Sequence, residues 1–209
     1  ISVRFFDPIT SNSTYFKDLR SMRHSFRKMS VAVFLLPILS WFASIDLSAS
    51  AQPKKIAFQS LCGSGACLKF VKSPGSGTNK LGNPFYSLEA YQNGKLIDSF
   101  TSISGRAHTQ TRNRHRRGTE APLPDGVYLV GSHLTNGSLF EVGGKFLPIY
   151  PRFSTGRTAL GIHYDPSFNQ NNGEDGTSGC IGLTTKTDRD LVQSFVLKYK
   201  PKTLVVELQ

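Results

Sequence analysis

The chain is short of acid and short of cysteine. Fourteen Asp and Glu stand against 25 Lys and Arg over 209 residues, a formal net charge of +11, which points toward anionic partners. Three cysteines, with no second clustered pair, fall short of a four-ligand zinc site. No glycine pattern for a dinucleotide or phosphate loop is present, and no internal repeat, so nucleotide-cofactor folds and solenoids drop out and no cofactor is expected. Long apolar runs are also scarce. The one candidate, Val31 to Ile45, is interrupted by Pro37, Ser40 and Ser44 and is short for a membrane span. No Cys follows it closely enough for a lipoprotein signal.

That run has an ordered setting. Met22 to Lys28 is a basic head (Arg23, Arg27, Lys28), and Ala49-Ser50-Ala51 is a small-residue end before Gln52; with the apolar middle they predict a secretory signal peptide cleaved after Ala51. Met22 or Met29 suits the start of such a signal better than Ile1, so residues 1–21 read as an upstream extension. The working protein is then residues 52–209, exported to the periplasm or cell envelope. Residues 1–51 carry six Lys/Arg and three Asp/Glu, so their loss lowers the charge by three, to +8. Export permits disulfides. Cys62 and Cys67, around Gly63-Ser64-Gly65-Ala66, either close a small loop or stand as two surface thiols; Cys180 is left over as a candidate reactive thiol.

Residues 52–83 are rich in Gly, Ser, Lys and Pro with one apolar piece, Cys67 to Val71, and read as a tether leading into a first strand. The domain itself is expected over residues 84–209. Ser87–Tyr91 and Leu96–Phe100 alternate around Asn93-Gly94, a hairpin signal. Strands are further expected at Val127–Val130, Leu139–Val142, Phe146–Tyr150, Ala159–His163 and Leu204–Leu208. Leu191, Val192, Phe195, Val196 and Tyr199 recur at helical spacing, with Thr187-Asp188 as a cap and Lys200-Pro201-Lys202 as a stop. Between the hairpin and the Pro124-Asp125-Gly126 turn lies a loop with Arg106, Arg112, Arg114, Arg116 and Arg117. It has no interleaved aromatics for base stacking, which argues against nucleic acid. It reads as a solvated loop or as one attracted to anionic wall polymers or membrane headgroups.

The chemistry concentrates between Gly161 and Leu183. His163 ends one apolar segment and Cys180 begins another, with a polar Asn/Gln/Gly/Asp loop between them that can fold back. A cysteine attacks as thiolate, and a neighbouring imidazole takes its proton. Ser178 and Gly179 are small and let backbone N–H groups approach a developing oxyanion.

These residues resemble the signature of the YkuD-type L,D-transpeptidases, in which an early His is followed by Ser/Thr-His-Gly-Cys, an apolar residue and Arg or Asn. Thr177, Gly179, Cys180 and Ile181 fit, as does His163; Ser178 stands in place of the second His and Gly182 in place of Arg or Asn. Leu123-Pro124-Asp125-Gly126-Val127-Tyr128 resembles the turn that leads into a sheet strand in that family. The resemblance implies a mostly-β sandwich or open barrel with one C-terminal helix, acting on peptidoglycan stem peptides. Cys180 would be the nucleophile, His163 the general base, the backbone carbonyl of Tyr164 the group that orients the imidazole, and the N–H groups of Gly179 and Cys180 the oxyanion donors. Ser178 would touch substrate. Asp165 competes with Tyr164 for the orienting role but is more simply a turn residue before Pro166. The implied reaction is cross-linking by acyl transfer with release of D-Ala and no metal. Two alternatives remain: an L,D-carboxypeptidase or peptidoglycan-damaging hydrolase on the same fold, and a non-catalytic wall-binding module.

Overall fold

A computed structural model describes residues 62–72 and 75–209; the expected extension, signal peptide and cleavage site lie outside the described residues, as do residues 52–61, 73 and 74 of the tether. Within them the chain forms nine strands and one α-helix. They are β1 (Ala66–Val71), β2 (Tyr86–Gln92), β3 (Lys95–Ile103), β4 (Gly126–Val130), β5 (Thr135–Asn136), β6 (Lys145–Pro151), β7 (Gly161–Tyr164), β8 (Ile181–Leu183), α1 (Lys186–Tyr199) and β9 (Thr203–Glu207). The sheet order is β4-β9-β1-β2-β3-β8-β7-β6-β5, and a further pairing of β4 with β6 closes eight strands into a barrel. The fold is therefore mostly β with a single helix, as expected, and the barrel is closed.

The β2–β3 hairpin forms where alternation and turn chemistry agree. Asn93 and Gly94 both adopt positive φ, 51° and 74°, which matches the twist of a two-residue hairpin turn. Tyr86, Leu88 and Ala90 alternate inward along β2. The apolar piece at the end of the tether is β1, an interior strand antiparallel to β2 and parallel to β9. The cysteines at its start are joined, Cys62 to Cys67.

The core is one cluster in which Leu68, Phe70, Leu88, Tyr128, Ile162 and Leu204 are buried together. Helix α1 adds Val192, Phe195 and Val196 and packs against β7, β2 and β8. Its N-cap is Thr185, whose hydroxyl accepts from the Asp188 N–H at 3.0 Å; the cap expected at Thr187-Asp188 starts two residues too late, because Thr185 and Asp188 have the three-residue spacing a side-chain cap requires. Lys200, in the left-handed conformation, ends the helix before Pro201.

A second expectation is overturned. Leu139–Val142 is not a strand. Phe140–Val142 is a 3-10 turn closed by Gly143 at φ 57°, with Gly144 also at positive φ. Leu139 and Phe140 are 67% and 70% exposed. A strand needs a partner for its backbone, and β5 and β7 already flank β6 at this edge.

Candidate functional site

Strands β7 and β8 are parallel neighbours, with Ile162 opposite Ile181 and His163 opposite Gly182. Ile162 and Ile181 point into the core. Strand alternation therefore turns His163 to the other face, and Cys180, the residue just before β8, comes to that same face beside Gly161. The long loop is what allows it: 16 residues separate Tyr164 from Ile181, enough for a crossover between parallel strands.

His163 is fully buried, its ring stacked on Phe146 with centroids 6.2 Å apart. Nδ1 lies 3.0 Å from the Tyr164 carbonyl oxygen. A carbonyl only accepts, so Nδ1 carries the proton and Nε2 presents a lone pair. Nε2 is buried with no hydrogen-bond partner among the described residues. Burial lowers the His163 pKa from its ordinary value, and the imidazole is neutral. The orienting contact is thus made by the Tyr164 carbonyl. Asp165 does something else: its two oxygens accept the Ser167 and Gly176 N–H groups at 2.8 and 3.2 Å, tying the two ends of the loop together.

Cys180 is the one free cysteine, and it is 7% exposed. Its thiol donates to the Ala159 carbonyl at 3.7 Å, not to His163. Burial pushes its pKa up to about 12; the Gly161 N–H and the Arg157 charge oppose the shift, and Glu141 adds to it. At rest the thiol and the imidazole are both neutral, and the imidazole has an open lone pair.

The backbone around Cys180 is fixed by buried hydroxyls. Thr177 Oγ1 donates to the Cys180 carbonyl at 2.9 Å, and it accepts from the Gly105 and Gly179 N–H groups at 3.1 Å each. Ser104 Oγ also donates to the Cys180 carbonyl, at 2.8 Å. One expected role is altered here: the Gly179 N–H faces Thr177 and not an open oxyanion position. Ser178 is exposed, but its N–H and hydroxyl both donate to the Glu141 carboxylate, so it is engaged within the chain. Gly182 has a packing reason to be glycine, since a Cβ there would meet Thr177 Cγ2 at 2.7 Å and Ile103 Cγ1 at 3.2 Å.

Two site residues escaped the sequence reading. Arg157, buried at the end of the β6–β7 connection, donates from Nη1 to the Arg114 and Ala121 carbonyls and from Nη2 to the Ser178 carbonyl at 2.6 Å. Its guanidinium lies close enough to Cys180 to lower the thiol's pKa. Glu141, on the 3-10 turn, acts on His163, Cys180 and Asp165 through its charge. Neither carries a local sequence signal, because each reaches the site from another connection. Beyond the turn lies an open cleft of about 510 Å³ lined by Leu139, Phe140, Tyr164, Pro166 and Lys186 among others.

The arginine loop divides. Arg106 pairs with Glu120 and Glu174 at 3.2 and 2.8 Å, and Arg114 with Asp125 at 2.8 Å; these two hold the loop to the barrel. Arg112, Arg116 and Arg117 are exposed and form no ion pair among the described residues. No group of His, Cys, Asp and Glu side chains suited to a metal occurs among the described residues, and no described helix is long and apolar enough to cross a membrane. No family model matches the chain, and no curated protein matches it either.

Proposed function

We propose that this protein is an exported cysteine acyltransferase acting on peptidoglycan stem peptides in the manner of an L,D-transpeptidase. One observation carries the reading: a free cysteine and an oriented, neutral histidine with an unpartnered Nε2 share one face of adjacent parallel strands. A buried acceptor without a partner costs about 1–3 kcal/mol, and a general base is a role that such a lone pair can serve. The Arg or Asn that the family pattern has two residues after the cysteine has no room at Gly182. Arg157 brings a guanidinium to the same neighbourhood from a different connection.

In the proposed reaction Cys180 swings from the Ala159 carbonyl toward His163, whose Nε2 takes the thiol proton. The sulfur attacks the carbonyl carbon of the third stem residue, the amide C–N bond breaks, and the leaving D-Ala amine takes the proton from His163. An amine of a second stem then attacks the thioester, giving a cross-link and restoring the thiol; water in its place gives a tripeptide. Catalytic hydrogen bonds that are unmade in a resting site commonly form only with substrate bound.

Incubating wild type, Cys180→Ala and His163→Gln with a disaccharide tetrapeptide, followed by mass spectrometry of protein and products, tests this. A covalent adduct with loss of D-Ala is expected in wild type, none in Cys180→Ala, and formation slowed by about 100-fold or more in His163→Gln. Dimeric product selects the transpeptidase and tripeptide the carboxypeptidase. Absence of adduct and turnover from folded wild type would favour the wall-binding alternative, for which the exposed Arg112, Arg116 and Arg117 supply the charge.

A further inference from the structure

Ser178 and Glu141 form a donor–acceptor pair that the acyl-transfer chemistry leaves unused. The Ser178 N–H donates to Glu141 Oε1, and Ser178 Oγ donates to Oε2 at 2.9 Å. The carboxylate thus receives one hydrogen bond on each oxygen, the arrangement in which a free carboxylate is bound. The donors are held rigidly, because the Ser178 carbonyl is fixed by Arg157 Nη2 at 2.6 Å and Gly179 follows at φ 102° against Arg157 and the Ala121 carbonyl.

The acceptor is held lightly. Glu141 sits on a three-residue 3-10 turn of which only Val142 is buried, preceded by exposed Leu139, begun by exposed Phe140 and followed by Gly143 and Gly144 at positive φ. One side of the pair is therefore a built cradle two residues before the nucleophile. The other is a turn with little apolar burial to keep it in place.

We infer that the Ser178 N–H and hydroxyl are a carboxylate-binding subsite beside Cys180, and that Glu141 fills it in the resting protein as an internal stand-in for the free carboxylate of a peptide ligand. The identity of that ligand rests on the acyl-transfer reading: the amide to be cleaved precedes a terminal residue, so that residue's carboxylate must be bound close to the sulfur. When a ligand carboxylate displaces Glu141, the turn lifts and the thiol becomes accessible. In the resting protein the Glu141 charge opposes thiolate formation at Cys180; a ligand carboxylate in its place carries the same charge, so the exchange acts on access to the thiol.

The test uses the alkylation rate of Cys180 in the full chain, which does not require turnover. With Cys62 and Cys67 joined, Cys180 is the only thiol, and iodoacetamide labelling is followed by intact mass for wild type, Glu141→Gln, Glu141→Ala and Glu141→Ala/Ser178→Ala. N-acetyl-D-alanine serves as the carboxylate probe and N-acetyl-D-alaninamide as its uncharged control. Both Glu141 variants are expected to label faster, by about tenfold, the effect of one pKa unit on the thiolate fraction. N-acetyl-D-alanine should slow labelling of Glu141→Ala, the amide should not, and the double variant should lose the protection. Unchanged or slower labelling in Glu141→Gln, which keeps the shape of the side chain, would overturn the inference, as would equal protection by the amide. Slower turnover with unchanged labelling would mean that Glu141 binds a substrate amine instead. If carboxylate protection is seen but no stem-peptide adduct forms, the subsite stands and the assigned substrate does not.

Discussion

The β2–β3 hairpin and the β7–loop–β8 segment belong to one barrel and are built on opposite terms. In the hairpin the buried side chains are Tyr86, Leu88, Ala90, Phe100, Ser102 and Ile103, nearly all apolar, and a two-residue turn joins the strands. Between β7 and β8 the buried set includes His163, Asp165, Ser167, Asp175 and Thr177. Most of these polar groups are answered. Asp175 accepts from the Asn79 and Asn83 side-chain amides and from the Asn169 N–H, and Thr177 Oγ1 has three partners. His163 is answered on one nitrogen only. Burying polar groups is costly unless they are paired, so the fully bonded ones are the loop's substitute for a hydrophobic core. The half-bonded one is where chemistry can enter.

The largest test of the contrast compares two glycines. At Gly179, φ is 102° and a Cβ would lie 1.7 Å from Arg157 Nη2 and 2.5 Å from the Ala121 carbonyl oxygen. Arg157 cannot yield without giving up three carbonyl contacts. Gly179→Ala is expected to cost roughly 3–5 kcal/mol, left-handed strain plus overpacking. At the hairpin turn Gly94, φ 74°, has nothing within 4 Å of a Cβ, and Gly94→Ala should cost only about 1–2 kcal/mol. Urea unfolding of both variants reads the difference. Equal costs would mean that the Arg157 contacts give way freely and that the loop before Cys180 is not a rigid platform.

The same contrast explains what could be read from the chain alone. The hairpin, β4, β6, the apolar stripe of α1 and the buried β9 were legible because period, turn residues and burial agree within each segment. His163 and Cys180 were legible as a pair because both lie at the ends of apolar segments with small residues leading into the cysteine. Barrel closure through β4 and β6 was not, since that pairing joins segments whose own patterns are satisfied by either an open or a closed sheet. Glu141 was read as part of a strand because Leu139, Phe140 and Val142 are apolar, yet Gly143 and Gly144 turn the chain. Arg157 meets Ser178 only after the barrel has formed. Ser178 looked free for substrate because its engagement with Glu141 spans 37 residues of sequence.

A middle-sized effect comes from the two titrating groups, His163 and Asp165, that this segment buries two residues apart. Asp165 has its pKa raised to about 7 by burial, reinforced by Asp175 and Glu141 and opposed by the N–H groups of Ser167 and Gly176. From about pH 4 to 7 the folded protein holds a proton that the unfolded chain has released, so this group's contribution is complete below pH 4 and is lost as pH rises. His163, lowered by burial, works in the opposite direction: below about 6.5 the unfolded chain takes a proton that the folded protein refuses, and stability is lost as pH falls. In wild type the two slopes oppose each other between about pH 4 and 6.5. Urea unfolding across that window should show stability rising with pH in Asp165→Asn and falling with pH in His163→Gln, each by at most about 1.4 kcal/mol per unit. Parallel slopes in the two variants would remove the buried neutral carboxyl from the account.

The smallest effect belongs to the joined cysteines, at the hairpin side of the barrel. The Cys62–Cys67 bond spans a sequence separation of only five, so it restrains little of the unfolded chain, and its reduction should cost about 2 kcal/mol. It pins the start of β1, which lies next to β2 and β9, whereas Cys180 is separated from β1, by the shorter way round the barrel, by β8, β3 and β2. Selective reduction should therefore lower the unfolding midpoint while leaving the alkylation rate of Cys180 unchanged under native conditions. A change in that rate would show that strain at β1 is carried across three strand pairings to the thiol, and the two regions could no longer be treated as separate solutions within one barrel.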